Sequence, residues 1–254
     1  MASPSAGPTA ALALSGAALG FLVLAPLGCR LDWWQYHFGL YRLMPISGVL
    51  AASAVILSVW LMASGWSRLS RRSWLQLLVA LGLGGVLVYV PVQYALRRTT
   101  LPAIHDIATD PDNPPKFNAV LAARAQAQAS RVEDRQPQVA HLQKAAYPDL
   151  LPLYSTLSPE KAFREALAVA KSMPGWSIID ADSTEGRIEA SEQSRWFRFV
   201  DDIVIRIVGD EGGSRIDMRS TSRQGTSDYG VNAARIRSYM GALRQRIGER
   251  GGRR

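Results

Sequence analysis

The stretch "FVDDIVIRIVGDEGGSRIDMRSTSRQGTSDYGVNAARI", Phe199 to Ile236, holds two strand-length runs, a turn rich in glycine and a helix start. In the longer run "WFRFVDDIVIRIV", Phe197, Phe199, Ile203, Ile205 and Ile207 share one parity, whereas Trp196, Arg198, Val200, Asp202, Val204 and Arg206 share the other. Side chains alternate faces along a strand, so one face is apolar and the other mixed. After "GDEGG" the pattern recurs, with Ile216 and Met218 opposed to Arg215, Asp217 and Arg219. Beyond it, Ser227, Asp228 and Asn232 are helix-capping residue types. From Val231 onward Ile236, Tyr239, Met240, Leu243 and Ile247 fall at helical spacing and form one apolar stripe.

Working upstream, "WSIID" and "RIEASE" are two further short runs, separated by the turn-former "ADSTEG". Four consecutive antiparallel strands are the simplest reading. Before them, "STLSPEKAFREALAVAKSMPGW" opens with Ser158 at an N-cap, Pro159 at the first helical position and Glu160 in the first turn. Ala162, Phe163, Ala166, Leu167 and Ala170 make its core-facing stripe, and Pro174 with Gly175 ends it. The order helix, four strands, helix predicts a small two-layer α+β domain over residues 147–250, with both helices on the apolar face of an antiparallel sheet. A basic tail, 251–254, follows.

The N-terminal part is of another kind. Residues 1–96 contain five arginines, Asp32 as the one acid and no lysine, whereas 97–254 hold 24 basic and 20 acidic residues. The runs 9–28, 45–65 and 74–96 are free of charge and long enough to cross a hydrocarbon core of about 30 Å. Unsatisfied backbone groups are costly in lipid, so these runs are expected as three transmembrane helices within residues 1–98. Between the first two, "RLDWWQYHFGLYRLM" has the Trp and Tyr content of a membrane-interface belt. The sole cysteine, Cys29, excludes an intrachain disulfide and any cysteine-rich metal site. In "APLGCR", Pro26 stands where a lipoprotein cleavage site carries an aliphatic residue, so Cys29 reads as a helix-end cysteine, with lipidation as the minor alternative.

Arg68, Arg71 and Arg72 cluster in the loop between the second and third helices, which favours a cytoplasmic loop and an exported C-terminal domain. Arg30, Arg42, Arg97 and Arg98 would then flank the outer side. The segment 99–146, with "LPAIHDIATDPDNPPKF" followed by an Ala/Gln-rich run of weak periodicity, reads as an extended linker with a peripheral helix or loop. The basic surplus is divided evenly between the two parts, and no aromatic-interleaved basic stripe or zinc-finger spacing is present, which argues against nucleic-acid binding.

"HDIATDPDNPPKF", "YPDLLPL", "FVDDIVIRI" and "RSTSRQGTSDYGVNAARI", in that order, resemble the bacterial and plastid family known as domain of unknown function 1499, from about Ile104 to Ile247. The resemblance implies an exported domain held by N-terminal helices or a lipid anchor. The family has no agreed activity, so it implies no catalytic residues.

The residues themselves offer three chemical readings. His105 and Asp106 with Ser220 or Ser222 supply triad residue types, but no nucleophile elbow accompanies them. Asp106, Asp110 and Asp112 are oxygen ligands without the glycine and terminal Glu of a calcium loop, and Asp201 and Asp202 alternate faces. No cofactor or metal is expected. The third reading rests on Arg198, Arg206, Arg215 and Arg219, placed on one sheet face, with Arg223 and the last helix's N-terminus near its edge. Guanidinium forks beside free helix N–H groups suit phosphate or carboxylate. The competing reading pairs these arginines with Asp202 and Asp217 across strands.

The expectation is therefore a multi-pass inner-membrane protein with a periplasmic domain and a non-enzymatic binding or assembly role at the cell envelope. Its partners would be membrane lipid, through an anionic head group or another envelope polyanion bound at the arginine face, or an envelope protein. The alternatives are a structural partner of a membrane complex, with "GAALG" and "GLGGV" letting helices approach closely, and a hydrolase.

Overall fold

The computed structural model describes residues 6–66, 69–129 and 137–251. Arg68 and the last three residues of the basic tail lie outside them. The chain divides into two compact units: Met1–Thr99 with the short stretch Arg195–Arg198, and Thr100–Ser194 with Phe199–Arg254.

Among the described residues, the first unit holds three helical spans long and apolar enough to cross a membrane, Ala6–Arg30, Tyr36–Gly65 and Arg71–Arg97. The first is α1 (Ala6–Arg30). The second joins α2 (Tyr36–Phe38), a π-helical turn (Gly39–Leu43) and α3 (Met44–Gly65). The third belongs to α4 (Arg71–Thr100), which continues past the apolar run. Small residues make the contacts between spans. Ala18 and Ala51 pack with Leu87, and Ala11 packs with Leu77 and Ala80. Ser47 Oγ donates across to the Ala18 carbonyl at 2.7 Å. A Cβ at Gly84 would lie 3.0 Å from the Ala51 carbonyl oxygen, so "GLGGV" does bring α4 close to α3. Large side chains such as Val49, Ile56, Trp60 and Val86 point outward, the arrangement of helices solvated by lipid.

The second unit is an antiparallel sheet of six strands in the order β1-β6-β5-β4-β3, with β2 also paired to β6. Its strands are β1 (Asp106–Ala108), β2 (Leu153–Ser155), β3 (Trp176–Asp182), β4 (Arg187–Gln193), β5 (Val200–Asp210) and β6 (Gly213–Ser222). The four longer ones are those that the periodicity marks. β1 and β2 share one edge of β6, β1 against residues 219–221 and β2 against 214–216. Three residues are too few for a period of two to register, which is why neither was legible.

Ile203, Ile205 and Ile207 of β5 face Ser220, Met218 and Ile216 of β6. This face carries the main core, closed by α7 (Pro159–Ser172) and α8 (Val231–Gly251). Phe163, Ala166 and Ala170 come from α7, and Ile236, Tyr239 and Leu243 from α8. Tyr239 stacks on Trp176 at 5.4 Å and donates its hydroxyl to the Ala166 carbonyl.

The opposite face is covered too, which corrects the expectation of an open sheet face. Residues 109–126, including α5 (Leu121–Gln126), lie across it, and Phe117 and Val120 pack on Val204. The segment from 101 to 146, in its described residues, is thus part of the domain instead of an extended linker. It supplies β1, α5 and α6 (Pro137–Ala146), and Gln143 of α6 holds the backbone N–H and carbonyl of Ala108 at once.

Candidate functional site

The signature segment 219–236 is built from the end of β6, a turn and the start of α8. Gly225 and Gly230 take φ values of 82° and 84°, the left-handed region in which glycine has no Cβ to strain. Asp228 precedes α8: its Oδ1 accepts from Gly230 N at 2.9 Å and its Oδ2 from Asn232 N at 2.8 Å. Asn232 lies inside the helix, with its side chain turned to the sheet. It donates to Ser222 Oγ and to the His105 carbonyl and accepts from Ser220 Oγ. These bonds tie β6, β1 and α8 into one buried knot.

Arg235 completes the knot on the helix side. It donates to Asp201 Oδ2 and to Glu192 Oε2, each at 2.6 Å, and also to Ser220 Oγ and Asn232 Oδ1. Asp202, the next residue in β5, faces the other way. It accepts both arms of Arg223 at 2.9 and 2.8 Å, Arg124 at 2.8 Å and Ser191 Oγ at 2.7 Å. Two adjacent aspartates therefore neutralise arginines on opposite faces of one sheet.

Arg206, Arg215 and Arg219 do share the second face, and each is paired there. Arg219 grips Asp106 with two hydrogen bonds, donates to the Pro115 carbonyl and stacks over Phe117 at 5.2 Å. Arg206 donates to Asp217 Oδ2, and Arg215 to Asp217 Oδ1 and Asp110 Oδ2. Glu189, fully buried, accepts from the backbone N–H groups of Asn118, Ala119 and Val120 at the start of α5. The face is a lattice of opposite charges under a lid of backbone. Arg198 is elsewhere: it precedes β5, in the turn between β4 and β5, at φ 57°.

Two carboxyls of the region, Asp110 and Asp228, are shifted in opposite senses. Burial opposes ionisation of Asp110, yet the Arg215 hydrogen bond and the N–H groups of Asn113 and Asp112 outweigh it and hold the carboxyl below its ordinary range. For Asp228, burial pushes the carboxyl up, against the N–H bonds from Gly230 and Asn232, and the charge of Asp201 adds to the rise.

The triad residue types do not form a triad arrangement. Both serine hydroxyls bond Asn232, and His105 enters the knot through its backbone carbonyl. The three acids of "HDIATDPDN" also diverge: Asp106 binds Arg219, Asp110 binds Arg215, and Asp112 binds Lys144 at 2.5 Å. Arg124, Glu189, Glu192 and Arg235 are the functional-looking polar residues that the sequence reading missed. Arg124 finds Asp202 78 residues along the chain, and Arg235 finds Glu192 and Asp201 43 and 34 residues away, so that only parity, which places Glu189 on the face of Arg187 and Ser191, hints at any of them.

No curated protein matches the chain. The family model described as "Protein of unknown function (DUF1499)" matches residues 106–243, from the first residue of β1 into α8. Because that match covers more than half of the chain, the chain belongs to the DUF1499 family.

Proposed function

We propose that this is a multi-pass protein of the inner membrane whose exported domain works at the membrane surface in a non-enzymatic binding role, with an anionic lipid head group as its ligand. One observation carries the reading. Helix α4 runs from Arg71 to Thr100 without a break, and β1 begins at Asp106, so residues 98–105 alone join the last span, which ends at Arg97, to the sheet. A chain reaches at most about 3.6 Å per residue, which holds the domain at the bilayer. Arg71 and Arg72 at the other end of α4 favour a cytoplasmic position for that end. The self-neutralised lattice supports a scaffold whose signature residues fix the fold, so that ligand contact falls to surface groups.

The test is lipid selection by the full chain. Purified from bilayer discs of equimolar phosphatidylglycerol and phosphatidylcholine, it should retain phosphatidylglycerol in excess, as read by native mass spectrometry. Equal retention of the two lipids refutes the ligand, and a C-terminal reporter active in the cytoplasm refutes the orientation.

A second reading, a structural partner of a membrane complex, has its own support. Nothing lies within 4 Å of a Cβ built at Gly16 or Gly20, so "GAALG" of α1 has a small-residue face outside the bundle. In-membrane crosslinking that yields one stoichiometric protein would favour it.

A further inference from the structure

We propose that the tip of the β4–β5 hairpin, Arg195-Trp196-Phe197-Arg198, is a finger that docks on the head-group layer of an anionic phospholipid membrane. The inference rests on the lipid-binding reading above and assigns it a surface.

The tip is a fixed turn. Ser194 N donates to the Phe199 carbonyl at 2.7 Å and Phe199 N donates to Ser194 Oγ at 2.9 Å, which closes the loop around four residues. Behind it, Gln224 Oε1 accepts from Val200 N, and Arg223 N donates to the Val200 carbonyl. What this turn presents is unusual for a surface in water. Trp196 is 65% exposed, whereas Trp176 of the same sheet is stacked on Tyr239. Arg195 is exposed as well, and the Arg198 side chain keeps 47% exposure with Asp32, itself 88% exposed, 3.9 Å away. An exposed pair at that separation is a weak one, so the guanidinium remains able to bind phosphate. Indole and guanidinium together match the interfacial layer, where aromatic rings sit at head-group depth and basic side chains meet lipid phosphate.

The sheet topology gives the tip a direction. Because all neighbours are antiparallel, the β3–β4 and β5–β6 turns lie at one end of the sheet and the β4–β5 turn at the other. The first end is acidic, with Asp182 at the end of β3, Glu185 in the turn after it, Asp210 at the end of β5 and Glu211 in the next turn. Asp106 pairs with Thr221, which pairs with Asp202, so the chain arriving from α4 enters the sheet at the end that carries the tip. The covalent tether and the Trp/Arg turn share one end, and the four acids occupy the far one.

The experiment uses the full chain in bilayer discs of equimolar phosphatidylglycerol and phosphatidylcholine, with the photoreactive residue p-benzoylphenylalanine at position 196 and, as control, at 211. The probe at 196 should form lipid adducts, richer in phosphatidylglycerol, and the probe at 211 should form none. Arg195→Ala/Arg198→Ala should lower the phosphatidylglycerol-to-phosphatidylcholine adduct ratio at 196 about fivefold per arginine, the scale of one basic side chain at an anionic surface. An unchanged melting temperature would show that the variant stays folded. Adducts only to peptides of this chain, or a ratio unmoved by the double substitution, would overturn the finger. If the arginine variant still retains excess phosphatidylglycerol in native mass spectra, the finger falls while the lipid-binding reading stands. If the unsubstituted chain retains no excess, that reading falls first.

Discussion

Arg219, near the end of β6, holds Asp106, the first residue of β1, through two parallel hydrogen bonds, Nε to Oδ1 at 2.8 Å and Nη2 to Oδ2 at 2.7 Å. Both side chains are nearly buried, so the pair locks the short edge strand to the sheet in a low-dielectric setting. Removing one partner strands the other charge. Arg219→Ala or Asp106→Ala should cost about 3–5 kcal/mol, read as the urea midpoint of the domain in the full chain held in detergent. Arg219→Lys should recover little, because an ammonium cannot reproduce the planar fork. A lysine variant of unchanged midpoint would mean that the fork geometry does not matter.

Glu189 stabilises α5 from the sheet beneath it. Its carboxylate takes the backbone N–H groups of Asn118, Ala119 and Val120, the turn that leads into α5. Arg187 lies 3.0 Å from the same carboxylate. Glu189→Ala should leave those donors buried and unpaired, a loss of about 1–3 kcal/mol, and should speed hydrogen exchange at Asn118, Ala119 and Val120 before that of β5. Exchange that rises uniformly over the domain would show that the carboxylate supports the whole fold and not this cap.

Asp110 and Asp228 should bend the pH profile in opposite senses. The Asp110 carboxyl is held below its ordinary range when folded, so the unfolded chain takes up the proton first on acidification. Stability from this group is present above the ordinary carboxylate pKa of about 3.9 and is lost as pH falls through the lower folded value. The Asp228 carboxyl is raised, so here the folded chain binds the proton more tightly, and stability is lost as pH climbs from about 3.9 to the folded value. Urea midpoints followed from acid to neutral pH should show a shallower acid limb for Asp110→Asn and a smaller decline towards neutral pH for Asp228→Asn. Parallel profiles for both variants and the unsubstituted chain would contradict these shifts.

The sequence by itself determined the three long apolar helices, the four long strands and the two core helices. Each of these depends on a period or a length that any short window contains, and burial then follows from the pattern: Ile203, Ile205 and Ile207 could only face a core. Parity likewise placed Arg206, Arg215 and Arg219 on one face, and sent Asp201 and Asp202 to opposite ones.

Only the tertiary structure decided what lies on that face. The Pro- and Asp-rich run that follows β1 has no period, because backbone groups along it are satisfied by side chains of the sheet, such as Glu189 and Arg219, and not by a repeating ladder. The ion pairs span long loops: Arg215 and Arg219 find their acids more than 100 residues upstream. A charge read in sequence shows its sign and its face, but the carboxylate that neutralises it is fixed by chain closure. That is why the arginines of the open sheet face proved to be the inner lattice of a covered one, and why Arg198, expected beside them, lies in the turn with Trp196.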